Sequence, residues 1–317
     1  MNPLALWCVD SGFVETREAQ MGEGMPVETL FTGISRGTER LVFDGLVPPS
    51  EAERMRVPGQ EGEFSFPVKY GYSAVGQVLE GEHAGHHIFT LHPHQTHFRV
   101  PESMATVLPE GLPPKRAVLG ANMETAVNIL WDSGASAGDT IVVIGAGVVG
   151  ALTGYLAAKL PGTHVTLIDV NPERARVATA LGCHFALPND APTDCDTVIH
   201  CSATESGLQL ALKLAGQEAT VVEASWFGGH TATLPLGGPF HSRRLRLVSS
   251  QVGHLPATRL PRWTHQRRIA KALELLCDDT LDVLISGETD FRDLPHHYGE
   301  ILADPDTLCH RIRYETT

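Results

Sequence analysis

Ile141-Val142-Val143-Ile144-Gly145-Ala146-Gly147-Val148-Val149-Gly150, followed by Val165-Thr166-Leu167-Ile168-Asp169, decides how the middle of this chain folds. An apolar strand runs into G-x-G-x-x-G, a helix follows, and a second strand ends in an acid 19 residues after the last glycine. Each part has a physical task in a dinucleotide site. Gly145 permits the tight turn, Gly147 lets the backbone approach a pyrophosphate, Gly150 lets helix and strand pack closely, and Asp169 accepts hydrogen bonds from ribose hydroxyls. Ala146, Val148 and Val149 complete the loop, and the helix N-terminus offers its unpaired N–H groups to the pyrophosphate.

The rhythm on either side differs. Residues 1 to about 110 read as short strands separated by Gly and Pro: Leu4 to Val9, Phe13 to Arg17, Val27 to Phe31, Tyr72 to Leu79, His87 to Leu91 and His97 to Val100. The proline- and charge-rich stretch from Val47 to Gly62 reads as an excursion over the surface or across a cleft. From Lys115 onward helix and strand alternate, which predicts a parallel sheet covered on both faces. Helices are expected at 116–131, 148–160, 172–181 and 208–214, with strands at 197–201, 219–223 and 245–249. The tail predicts a helix at 267–276, a strand near 281–285, a helix after Asp293 and a strand near 311–314.

Composition narrows the function. The chain has 317 residues, 42% hydrophobic and 19% charged, enough for about two domains with ample core. A formal net charge of -13 disfavours nucleic acid and anionic membranes as partners, and only Arg243, Arg244 and Arg246 cluster. A small-molecule substrate fits better. Six scattered cysteines without a C-x-x-C pair predict free thiols in a reducing compartment, the cytoplasm. The apolar start lacks a basic flank and reads as a first strand rather than a signal peptide.

Three further segments, with the glycine loop, carry a family resemblance: Thr32-Gly33-Ile34-Ser35-Arg36-Gly37-Thr38-Glu39, Gly71-Tyr72-Ser73-Ala74-Val75-Gly76 and Glu124-Thr125-Ala126. With them the chain resembles, over nearly its whole length, the medium-chain dehydrogenase/reductase superfamily of zinc alcohol dehydrogenases and quinone reductases. The S-R-G-T-E segment looks most like the branch containing bacteriochlorophyllide hydroxyethyl dehydrogenase. The resemblance implies an α/β protein with a GroES-like β-rich catalytic domain (1–122), a Rossmann doubly wound parallel-sheet domain (123–252) and a C-terminal segment (253–317) returning to the first. It also implies a homodimer paired along the strand 245–249.

The departures bear on chemistry. Zinc-dependent members place a cysteine in the first motif, a His-Glu pair in the second and another ligand before the third. Here stand Ser35 or Arg36, then Tyr72-Ser73, then roughly Ala121. Zinc takes thiolate, imidazole or carboxylate, so no zinc is expected. Hydrogen-bond donors must then polarise the substrate oxygen. Tyr72, in the place of the lost histidine, is the first choice; Thr38, resembling the family's relay hydroxyl, is the second. A space-filling aromatic is the competing reading of Tyr72.

Six histidines between His83 and His97 invite a separate reading. His92 and His94 read as a metal-chelating pair, as proton-transfer groups, or as ordinary structure. The resemblance implies that Arg36 contacts the pyrophosphate and that Thr125 lies near the nicotinamide. Asp169 favours NAD over NADP by repelling a 2′-phosphate, whereas Arg174 and Arg176 leave NADP open. Asn171 begins the next helix, and Ser202 ends a strand where ligands gather. The expected activity is zinc-independent, NAD(P)-dependent hydride transfer to or from an alcohol or carbonyl. A quinone or enone reductase and a catalytically silent cofactor-binding protein remain the alternatives.

Overall fold

The computed structural model describes residues 2–315. Its contacts divide the chain into two compact units, Met1–Ala121 with Ile269–Thr317, and Asn122–Arg268. Residues 253–268, expected in the returning segment, group with the second unit. Arg268 explains this: its buried guanidinium donates to Glu124 Oε1 at 3.0 Å, Asn128 Oδ1 at 2.6 Å and the Val252 carbonyl at 2.5 Å. Glu124 is the buried partner of this arginine.

The second unit is built on a six-stranded parallel sheet. Its spatial order is His184–Ala186, His164–Ile168, Thr140–Ile144, Cys195–His200, Ala215–Glu223, Arg246–Ser249. Ile141, Val142 and Val143 are fully buried, as a strand covered on both faces requires. The helices Val148–Ala158, Arg174–Ala180 and Glu205–Leu214 connect successive strands. From the strand Thr140–Ile144 the chain winds first to one side and then, at Cys195–His200, to the other. Such a reversal opens a crevice at the carboxyl ends of these two neighbours.

The first unit is β-rich. A seven-stranded sheet runs Ile285–Asp290, Cys309–Arg313, Met25–Ser35, Ala74–Val78, His87–Thr90, Thr106–Val107, with His97–Val100 also paired to Met25–Ser35. The C-terminal strand Cys309–Arg313 thus lies beside a strand from the start of the chain. A four-stranded sheet combines Phe13–Glu18, Leu4–Asp10, Val68–Lys69 and Glu61–Gly62.

Several local expectations change. A helix at Arg36–Phe43 interrupts the strands, burying Glu39 and Val42 on one face. The strand expected at 281–285 is a 3-10 turn, Asp279–Leu284, followed by the strand Ile285–Asp290. Leu281 and Leu284 are both fully buried at a spacing of three, the period of a 3-10 turn, and Asp278 caps it by accepting from the Thr280 N–H at 3.0 Å. The helix expected over 116–131 is two pieces, Pro114–Ala117 and Gly120–Ser133. The Val47–Gly62 stretch is no mere surface excursion, since Val47, Ala52, Met55 and Val57 pack on a cluster with Phe64, Val68, Tyr70 and Tyr72.

Candidate functional site

In the second unit the glycine loop takes the shape its spacing predicts. Gly145 sits at φ +98°, and a Cβ there would lie 2.9 Å from the Cys201 carbonyl carbon and the Ser202 nitrogen. A Cβ on Gly150 would collide with the Gly145 carbonyl oxygen, so the helix Val148–Ala158 can approach its strand only with glycine here. Gly147 differs from both. It is exposed, has extended backbone open to any residue, and a Cβ on it would meet nothing within 4 Å. Open space therefore lies beside the first N–H groups of the helix, which lack intrahelical acceptors. The cradle fits a pyrophosphate.

Asp169 comes directly after its strand, His164–Ile168, which stops one residue short of the expected end. Its Oδ2 accepts the Ala146 N–H at 2.7 Å and its Oδ1 the Asn171 N–H at 2.9 Å, which ties the carboxylate to the glycine loop. Asn171 Oδ1 accepts from the Glu173 N–H at 3.0 Å, a turn that starts the next helix. Arg174 is buried and Arg176 exposed. Thr125 is half-buried on the helix Gly120–Ser133.

Ser202 leads to groups that the sequence reading did not single out. Its Oγ bonds His200 Nε2 at 2.7 Å, and His200 Nδ1 bonds Glu223 Oε2 at 2.6 Å. His200 and Glu223 are direct partners across adjacent parallel strands. A signal did exist: the apolar runs Thr197-Val198-Ile199 and Thr220-Val221-Val222 each end in an ionisable residue at their carboxyl end.

In the first unit, Tyr72 lies just before the strand Ala74–Val78 rather than in it. The Ser35 and Thr38 hydroxyls stand near its own and favour the charged phenol, but burial outweighs them and pushes it up to about 12. The first and second choices for the donor are therefore neighbours. The residues at the expected ligand positions supply two hydroxyls and, at Ala121, a methyl group, a donor set that does not fit zinc. Ser73 donates to the Val118 carbonyl at 2.5 Å. Arg36, half-buried, uses its Nε to donate to the Leu302 carbonyl at 2.9 Å.

The two histidines part company. His94 is 1% exposed with both nitrogens engaged, Nδ1 with Thr32 Oγ1 at 2.7 Å and Nε2 with Glu39 Oε2 at 2.9 Å. Glu39 also accepts from the Tyr298 hydroxyl at 2.8 Å and the Ser35 N–H at 2.7 Å, while Thr32 reaches the Tyr314 hydroxyl at 3.1 Å. This closed network leaves His94 no nitrogen for substrate or metal. His92 instead stacks on Phe98, with ring centroids 3.9 Å apart, and borders a cavity of about 290 Å³ with Glu61, Lys69 and Arg99. Burial, aided by the Lys69 charge, lowers it to about 3, so it is neutral at physiological pH and no proton donor there. Among the described residues no group of three or more His, Cys, Asp or Glu is placed to hold a metal ion.

No family model matches the chain. It is 25% identical over 210 residues to D-guloside 3-dehydrogenase of Escherichia coli, an alignment covering 60% of this chain and 59% of that protein. The chain thus spans less than two thirds of the curated relative it matches. Among solved structures, a protein described as a zinc-binding dehydrogenase of Sinorhizobium meliloti, bound to NADP, superposes with a TM-score of 0.77 at 19% identity, covering 99% of both chains. An alcohol dehydrogenase of Escherichia coli CFT073 complexed with NADH does so with a TM-score of 0.77 at 16% identity, covering 100% of both. Relatives and structural neighbours of this chain are zinc-type alcohol dehydrogenase-like members of the medium-chain dehydrogenase/reductase superfamily, and its architecture of a GroES-like unit and a Rossmann unit is theirs.

Proposed function

We propose that this protein is an NAD(P)-dependent oxidoreductase that transfers hydride between a nicotinamide cofactor and an alcohol or carbonyl substrate, with protein hydroxyls where zinc-dependent relatives hold a metal. The observation that carries the reading is the nearness of the Tyr72, Ser35 and Thr38 hydroxyls at positions whose side chains are not zinc ligands. Bound nicotinamide supplies or accepts the hydride. A phenol near 12 stays neutral at physiological pH yet is more acidic than an aliphatic alcohol. Tyr72 therefore donates a hydrogen bond to a substrate carbonyl, and its proton passes readily to a developing alkoxide. Thr38 orients the Tyr72 hydroxyl and can accept or return its proton.

NAD is the preferred cofactor on this reading, because the Asp169 carboxylate suits a ribose hydroxyl and repels a 2′-phosphate. Arg176 is the exposed cation that would soften that preference. A homodimer paired along Arg246–Ser249 belongs to this reading, and the position of that strand at the edge of its sheet supports it. A cytoplasmic setting suits the six free thiols. A panel of polyols, ketones, aldehydes, quinones and enones, assayed with each nicotinamide cofactor after exhaustive chelation, tests the reading. Carbonyl reduction or alcohol oxidation that survives chelation supports it. Turnover restored only by stoichiometric zinc, or saturation of enones alone, overturns it.

A further inference from the structure

The ends of the strands Cys195–His200 and Ala215–Glu223 carry a hydrogen-bond chain with one consistent direction. Glu223 Oε1 accepts the Ser225 N–H at 2.7 Å and Oε2 meets His200 Nδ1 at 2.6 Å, so the carboxylate takes the proton of Nδ1 as donor. In the tautomer that carries its proton on Nδ1, Nε2 is an acceptor, and Ser202 Oγ, 2.7 Å away, donates to it. The Thr204 hydroxyl stands 2.8 Å from Ser202 Oγ and itself accepts the Gly207 N–H at 3.1 Å, so Thr204 donates onward to Ser202. The Ser202 hydroxyl has spent its proton. What it keeps is a lone pair.

The connectivity resembles a nucleophile, base and acid, but the packing opposes that use. His200 is fully buried, and a Cβ on Gly207 would lie 2.6 Å from its Nε2 and press on Ser202 Oγ. A leaving group has no route to the imidazole. Ser202 itself is partly exposed, and its nitrogen stands against Gly145 of the glycine loop. Topology assigns the half of the ligand. Asp169 follows the strand on one side of Thr140–Ile144, the place of the acid that takes the adenosine ribose in such folds, while Ser202 follows the strand on the other side.

We propose that Glu223 and His200 are positioning residues that hold Ser202 Oγ as a hydrogen-bond acceptor for the nicotinamide half of the cofactor, taking a ribose hydroxyl or the carboxamide N–H. This rests on the dinucleotide reading of the same crevice. Binding of NADH and of ADP, which lacks both the nicotinamide and its ribose, to the full chain separates the two ideas. Ser202→Ala, His200→Gln and Glu223→Gln are each expected to weaken NADH about three- to tenfold while leaving ADP affinity unchanged. Imidazole ¹⁵N NMR, with His200 assigned by its loss in His200→Gln, should show Nδ1 protonated and Nε2 bare, with the Nε2 resonance moving on NADH addition. Equal weakening of both ligands, or none, overturns the relay. Failure of the unaltered protein to bind either ligand overturns the dinucleotide reading and the relay with it.

Discussion

In the glycine loop the groups that would meet a ligand are main-chain N–H groups and empty space, whereas in the Ser35, Thr38 and Tyr72 cluster they are side-chain hydroxyls. The first site is demanded by backbone geometry: Gly145 at positive φ and Gly150 against a carbonyl oxygen tolerate no side chain. The second, on the proposed reading, is a set of side chains on a shared scaffold, where a change of side chain would change the chemistry and leave the fold standing. On that reading one region fixes which cofactor can be held, and the other is free to vary what is done with it.

The support beneath the hydroxyl cluster should be the most sensitive part of the first unit. Glu39 lies between Ser35 and Tyr298 and is fully buried with three partners. Glu39→Ala strands all of them and is expected to cost about 3–5 kcal/mol in urea unfolding. A loss below 1 kcal/mol would mean that this network does not hold the scaffold. Tyr72→Phe, by contrast, should leave stability and cofactor affinity nearly unchanged while lowering kcat about 10²–10³-fold. An unchanged kcat would return Tyr72 to the role of space-filling aromatic.

On the cofactor side, Asp169→Ser removes the negative charge that disfavours a 2′-phosphate. It is expected to move the NADPH to NADH affinity ratio about tenfold toward NADPH, read by fluorescence titration. No movement would show that Asp169 is held by Ala146 and Asn171 for loop structure alone. The smallest effect belongs to His92. Its folded value, about 3, lies below the ordinary 6.5, so the unfolded chain binds a proton in that window that the folded chain does not. Its contribution is intact above pH 6.5 and falls by at most about 1.4 kcal/mol per pH unit as pH drops toward 3. His92→Phe preserves the stack on Phe98 and should flatten that slope without altering turnover.

How far the sequence could be read follows the same division. The glycine loop, Asp169 and the alternation of strand and helix were legible because each depends on a short-range spacing. The grouping of Tyr72 with Ser35 and Thr38 was reached through motif positions, but their nearness joins segments over 30 residues apart. His94 misled for a related reason: a histidine in a polar stretch looks accessible until Glu39, Thr32 and Tyr298 close around it. The helix Arg36–Phe43 escaped notice because Gly37 and Thr38 are poor helix formers, and burial of Glu39 and Val42 overrides that tendency. His200 and Glu223 are 23 residues apart and meet only through parallel register.

The claim that the glycine loop cradles a dinucleotide has a direct test in Gly147, whose missing side chain borders open space and whose backbone accepts any residue. Titration of NADH into the unaltered protein and into Gly147→Leu, with thermal melting of both, should give saturable one-to-one binding in the first. In the second it should give at least a hundredfold weaker binding at an unchanged Tm. Equal affinity in the two proteins, or no binding by either, would contradict the account.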